Sequence, residues 1–229
     1  MAPLHLIDNL IQDYHFVCAL TEQQKRQAYT LRYQDSKAIY PNMTNVEQVI
    51  DQYDTQSLHL LLQNKASQQS IAAIRLTEAK APNKPSQLPS KHYSRQQIWI
   101  GERALAEQED KAYSEISRLC LEPVANTELI SDIMYLGALS LARLLFHDFI
   151  LMELPVFEFK RLRSLGLRLE QTRVCIEDQD RALFWVSTEQ GINSESRLYD
   201  LYQHILGDIA YQMNQPELVS ESAVDATYR

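Results

Sequence analysis

Glycine is nearly missing from this chain, with five in 229 residues. That scarcity excludes the phosphate-binding loops built on glycine: neither a GxGxxG fingerprint nor a GxxxxGK[ST] loop occurs. Cysteine is scarce as well. Cys18, Cys120 and Cys175 lie in apolar, strand-like surroundings without CxxC spacing. This argues against a disulfide framework or a thiolate zinc site, and it reads as buried thiols in a reducing compartment. No bound metal is expected. Long hydrophobic runs are also missing. The longest apolar stretch, Ile133 to Phe149, is interrupted by Ser140, Arg143 and His147, so no transmembrane segment is expected. No basic segment leads into an apolar one at the N-terminus, which argues against a signal peptide. A cytoplasmic location is the expectation from these features together.

A net charge of −8 argues against a nucleic-acid partner, which would require phosphate neutralisation over a broad surface. Acidic residues are in turn missing locally. From Lys80 to Ile100 there are none, while Lys80, Lys84, Lys91 and Arg95 all fall there. A second basic cluster, Lys160, Arg161, Arg163 and Arg168, brackets the SLGL segment. These clusters are either solvated faces or docking patches for an acidic partner.

The chain does hold enough apolar residues, 45%, to bury a core in one large domain. That domain is expected over residues 1–213, with 214–229 a flexible tail. Thr21 with Gln24 forms a capping-box pattern that opens a helix to about Gln34. Leu58–Gln63 and Ile71–Thr77 read as a hairpin around a polar turn. Three prolines between Pro82 and Pro89 predict an irregular loop. A short helix is expected within Ile98–Glu109 and a strand over Ser114–Glu122. Apolar residues at helical spacing predict a helix over Thr127–His147, in which Gly137 permits close backbone approach. A buried strand at Phe149–Glu153 follows, then a helix over Val156–Leu165 closed at Gly166. Strands at Leu169–Ile176 and Arg181–Val186 and a terminal helix over Ser194–Met213 complete the pattern. Strands and helices alternate without βαβα regularity, which predicts a mixed α/β (α+β) domain with a largely antiparallel central sheet.

Charged residues stand out inside this pattern in a fixed order: Arg32, then Asp51 and Asp54 in DQYD, then Arg75, then Glu115 and Arg118 in EISRL. Arg75, Glu115 and Arg118 fall in strands, where a buried charge must pair or face a ligand. In an unbroken strand Glu115 and Arg118 would point to opposite faces, and a bulge would bring them together.

This order of arginine, DxxD, strand arginine and ExxR resembles the acyl-homoserine-lactone synthases. The second half resembles more closely the PEP-CTERM/exosortase system-associated acyltransferases, on YDTQSLHLLL (53–62), EISRLCL (115–121) and HDFILMELPVFEFKRLRSLGLRLEQ (147–171). Long-chain N-acyl amino acid synthases share the architecture, and the likeness spans residues 12 to 190. It implies a GNAT-like fold in which two neighbouring strands splay and a pantetheine arm lies between them. The implied activity is N-acyl transfer of a medium- or long-chain acyl group from a thioester to a small amine such as an amino acid. Acyl carrier protein or coenzyme A would bring the acyl group, with no tightly bound cofactor. On this resemblance Glu115 would receive the amine proton, with Arg118 beside it. Arg32, Asp51, Asp54, Arg75 and His147 would contact substrate, the aspartates either holding a cationic acceptor or pairing with Arg32 and Arg75. His147 matches a histidine of the exosortase-associated relatives, although a lone histidine at a helix end more often serves as a cap. Leu119, Cys120, Leu121, Phe149 and Met152 would line the thioester and pantetheine site. Leu139 and Leu144 would either line an acyl tunnel or pack in the core.

Two departures shape the expectation. The synthases carry bulky aromatics after the early arginine, where this chain has QDSKAIYPN with only Tyr33 and Tyr40 nearby. That argues against S-adenosylmethionine and lactone formation. The glycine-rich diphosphate loop of coenzyme A-dependent relatives is replaced by LEPVANTELISD, which favours a carrier-protein donor docking on Lys84–Arg95 and Lys160–Arg168. A true acyl-homoserine-lactone synthase and a non-catalytic acyl-binding regulator are the alternatives.

Overall fold

The computed structural model describes residues 12–79, 88–90, 99–100, 103–104, 111–123, 127–172, 181–196 and 198–214. After strand β1 (Tyr14–Cys18), helix α1 (Glu22–Ile39) starts at the expected capping box. The Thr21 hydroxyl accepts from the Gln24 N–H at 3.2 Å, and the Gln24 side chain accepts from the Thr21 N–H at 3.0 Å. Two 3-10 turns, Val46–Val49 and Asp54–Gln56, lead into the hairpin of β2 (Ser57–Asn64) and β3 (Ser70–Glu78). A minor pair, β4 (Trp99–Ile100) with β5 (Arg103–Ala104), precedes β6 (Tyr113–Leu121). Then come α2 (Thr127–Leu144), β7 (Phe149–Pro155), α3 (Val156–Ser164), β8 (Glu170–Gln171), β9 (Arg181–Ser187) and α4 (Tyr199–Met213).

Among the described residues, seven strands form one sheet in the order β1-β2-β3-β6-β7-β9-β8. Every pairing is antiparallel except β6 with β7. The mixed, largely antiparallel sheet with flanking helices and a C-terminal helix is the class the sequence predicts. One face of the sheet buries Leu60, Leu62, Ile74, Leu76, Ile116, Ile150 and Phe184 in the main core, beneath α2 and α4. Gly137 is required there: a Cβ at this position would lie 2.5 Å from the Phe16 ring and 2.8 Å from Leu60. Helix α1 covers part of the opposite face through Ala28 and Leu31, against Leu61, Ala73 and Cys120.

Some expectations change. The described residues within Ile98–Glu109 belong to the β4–β5 pair instead of a helix. The terminal helix begins at Tyr199, because Asn193 and Ser196 close a turn in which the Asn193 side chain accepts from the Glu195 N–H. Cys175 and the C-terminal half of the Leu169–Ile176 strand lie outside the described residues. So do Lys80, Lys84, Lys91, Arg95 and everything past Asn214. No helix among the described residues is long and apolar enough to cross a membrane.

Candidate active site

Cross-strand register gathers the charges of this chain into one band. His59 pairs with Arg75 and Arg75 with Ser117, while Ser57 pairs with Thr77 and Thr77 with Glu115. Directly opposed residues share a sheet face, so these side chains form two polar rows on the face that carries α1. Apolar clusters bound the band on both sides: Leu61, Ala73 and Cys120 beneath α1, and Tyr113, Leu151 and Leu183 further along the strands.

The arginines and aspartates of this band are consumed largely by each other. Arg32 grips Asp54 with two guanidinium nitrogens, at 2.9 and 3.0 Å, and donates to the Val49 carbonyl. Arg75 donates to Asp51 at 2.6 Å, Asp54 at 3.1 Å and the Ser117 hydroxyl at 3.0 Å. Arg118 reaches the second oxygen of Asp51 at 3.1 Å. Asp51 and Asp54 therefore pair with arginines, including Arg32 and Arg75. Burial pushes the Asp54 carboxyl up, but the Arg32 hydrogen bonds, the Asp51 N–H and the Arg75 charge outweigh it and hold it below the usual range. Asp51 is held low in the same way, burial being outweighed by the charge and hydrogen bond of Arg75. The network sets three guanidinium groups against two carboxylates, leaving one positive charge in excess.

His59, which sequence reasoning missed, is buried against this network. Its ring meets Tyr29 edge-on at 5.3 Å and comes within 3.4 Å of Asp54. Burial and then the Arg32 charge lower its pKa to about 4, so the ring is neutral at physiological pH. Its sequence neighbours gave no signal, because only the β2–β3 register shows that it faces Arg75.

A bulge in β6 decides the relation of Glu115 to Arg118. Ala73 pairs with Cys120 and Arg75 with Ser117, so β6 has one residue more than β3 in this interval. Arg118 absorbs it with φ at +56°, a left-handed conformation unfavourable for a side chain other than glycine. The extra residue swings Arg118 to the side of Asp51, onto the same cavity wall as Glu115. Glu115 is buried, and one carboxylate oxygen accepts from the Ser90 N–H at 2.8 Å. Burial pushes its pKa up to about 7, against the Ser90 N–H and the more distant Arg75 charge.

Strands β6 and β7 pair only from Tyr113–Phe149 to Ile116–Met152 and then separate, while β7 stays on β9 to its end. The edge of β6 from Ser117 to Leu121 is thus open toward β7. A cavity of about 600 Å³ occupies the gap. Glu115, Ser117 and Arg75 line it on one face of the sheet, and Ile116, Met152, Leu154 and Tyr135 on the other, so it passes through the splay. Leu119 and Cys120 also line it, as do Arg32, Asp51 and Arg118. The Cys120 thiol is pushed up to about 12 by burial, which makes it a poor nucleophile at neutral pH.

Other residues singled out from the sequence fall elsewhere. Leu139 packs in the main core, with Leu144 and Leu121 partly buried against it, and none of the three lines the cavity. Phe149 stacks edge-on against Trp185 at 5.3 Å, outside the cavity. The His147 backbone N–H closes the end of α2 on the Ala142 carbonyl, and its ring lies 3.4 Å from Glu78 instead of in the cavity. Arg161 turns inward to Asp132, Glu158 and Ser131, which removes it from the basic surface cluster.

Residues 24–135 match the family of acetyltransferase (GNAT) domains. The match covers 112 of the 229 residues and supports an acyltransferase. Among solved structures, FeeM, an N-acyl amino acid synthase from uncultured soil microbes, is similar at a TM-score of 0.57 and 12% identity, over 82% of this chain and 97% of that one. The coenzyme A-dependent acyl-homoserine lactone synthase BjaI is similar at 0.57 and 13% identity, over 85% and 89%. The acyl-homoserine-lactone synthase LasI is similar at 0.52 and 14%, over 81% and 92%. At these identities the likeness is one of fold. No curated protein sequence matches the chain.

Proposed function

We propose that this GNAT-type acyltransferase moves a medium- or long-chain acyl group from an acyl carrier protein to the amine of an amino acid. The observation that carries this reading is the cavity through the splayed strands, with Glu115 beside the network of Arg32, Arg75 and Arg118 with Asp51 and Asp54. The thioester arm lies along the edge of β6 past Ile116, where pairing with β7 has ended and the backbone can donate to the carbonyl. The amine nitrogen attacks that carbonyl, a C–N bond forms and the oxyanion meets backbone donors. The C–S bond then breaks, the thiolate leaves, and the amine proton passes to Glu115 and on to the thiolate. A carboxyl group poised near 7 is suited to that exchange. The excess positive charge at Arg118 favours an acceptor that carries a carboxylate as well as an amine.

Two features favour a carrier protein over coenzyme A. Glu153 and Glu158 line the cavity, a poor setting for a diphosphate. On α3, Lys160 and Arg163 are exposed and make no salt bridge among the described residues, next to Phe157, which is 73% exposed. A basic helix face with an apolar anchor complements an acidic carrier surface. The resemblance of residues 53–62, 115–121 and 147–171 to the exosortase-associated acyltransferases supports a relationship to that group, and we take the cytoplasm as its place of action.

Lipid extracts and intact-mass spectra of a bacterial host expressing the protein test this reading. N-acyl amino acids are expected with the wild type and are expected to vanish with Glu115→Gln. Lactones in their place would establish the acyl-homoserine-lactone synthase. A bound acyl thioester unchanged by the substitution would replace the enzyme reading with an acyl-binding regulator. Arg118→Gly is expected to abolish the products while changing stability by less than about 1 kcal/mol. Relief of left-handed strain offsets the loss of a half-exposed ion pair. A stability loss well beyond that, read by urea denaturation, would make Arg118 structural.

A further inference from the structure

Glu115 is covered by a short piece of chain that no motif marks. Leu88, Pro89 and Ser90 lie between β3 and β4 in sequence. Leu88 is fully buried, in a cluster with Tyr113, Leu151 and Leu183. Tyr113 stands two residues before Glu115 on the same strand, and Leu151 is the cross-strand partner of Glu115 on β7. Leu88 therefore packs on the sheet face that carries the carboxylate. Pro89 forms part of the cavity wall, and Ser90, itself 3% exposed, points its N–H at Glu115 from 2.8 Å.

We propose that Leu88–Ser90 is the positioning element of the catalytic carboxylate. Leu88 anchors the turn and keeps water from Glu115, while the Ser90 N–H holds one carboxylate oxygen and leaves the other to meet the acceptor amine. The inference rests on the reading of Glu115 as the proton acceptor.

The two contacts act on the carboxylate with opposite sign. Burial disfavours the charged form, and a donated N–H favours it. The charged groups facing Glu115 are Arg75 from β3, which favours the carboxylate, and Glu153 from β7, which opposes it; neither belongs to the turn. Substitutions two residues apart should therefore move the ionisation of Glu115 in opposite directions. A purely structural turn would give shifts of one sign, from general loosening, or none.

The test is a pH titration of the full chain labelled with carboxyl-¹³C glutamate, followed by NMR, with Glu115→Gln identifying the resonance. Leu88→Ala should admit water and lower the midpoint, and Ser90→Pro, which deletes the N–H, should raise it, each by about one pH unit. Leu88→Val, milder in packing, should shift the midpoint down by less and keeps the first arm readable should Leu88→Ala unfold. Opposite shifts support the positioning role, and shifts of the same sign or unchanged midpoints overturn it. The titration is read without substrate, so its result is independent of whether N-acylated products are found.

Discussion

Replacement of Asp54 by asparagine is expected to lower stability by about 3–5 kcal/mol, the penalty for leaving buried charge without its counter-ion. The Asp54 side chain is 1% exposed and accepts two hydrogen bonds from Arg32, one from Arg75 and one from the Asp51 N–H. Asparagine keeps the shape and one acceptor but loses the charge, and its NH₂ group would face a guanidinium. Arg32, 3% exposed, would be left with the Val49 carbonyl, and Arg75, 1% exposed, would depend on Asp51, which also serves Arg118. Asp51→Asn should cost less, about 1–2 kcal/mol, since that side chain is a quarter exposed and its loss leaves Asp54 in place. Urea denaturation with an unchanged m-value checks both, and a loss below about 1 kcal/mol for Asp54→Asn would show that the network carries little stability.

The pH dependence of the same pair has a definite sign. Both carboxyls are held below their ordinary value of 3.8, so their contribution is complete above that pH and is lost as pH falls through the folded-state values. The Asp54→Asn variant should therefore lose less stability than the wild type on acidification below pH 4.

Which parts of this site were legible beforehand follows from the range of the signals. The Thr21–Gln24 cap, the β2–β3 hairpin and the α2 stripe are local patterns, and each element formed where its pattern lay. The Arg32, Asp51, Asp54 and Arg75 order was equally visible and allowed pairing as one of two readings, and the choice between them depends on the β2–β3–β6 register. Arg118 shows the limit most clearly. Its side depends on one extra residue in β6, and nothing in EISRL marks a left-handed arginine. Leu139 and Leu144 follow the helical period, and that period cannot tell a tunnel from a core. Ser90 and His59 carried no local signal, because each acts through a contact with a distant strand.

Glu115→Gln should separate stability from activity. The Glu115 carboxyl is raised from 4.5 to about 7, first by burial, so the folded chain binds that proton more tightly than the unfolded one. Its stabilising contribution is complete below pH 4.5, declines as pH rises toward 7 and is gone above it. An amide cannot ionise, keeps an acceptor for the Ser90 N–H, and removes the decline. At pH 8 the variant should be more stable than the wild type by as much as about 3 kcal/mol, the linkage expected for a carboxyl raised from 4.5 to about 7. At about 2–4 °C per kcal/mol for a chain of this size, thermal unfolding resolves the difference. At pH 4 the two proteins should unfold together. Equal loss of stability at both pH values would mean that Glu115 is held as a carboxylate by partners the amide cannot replace. A variant that is more stable at pH 8 yet makes no N-acylated product would identify Glu115 as a residue kept at the expense of the fold for its proton.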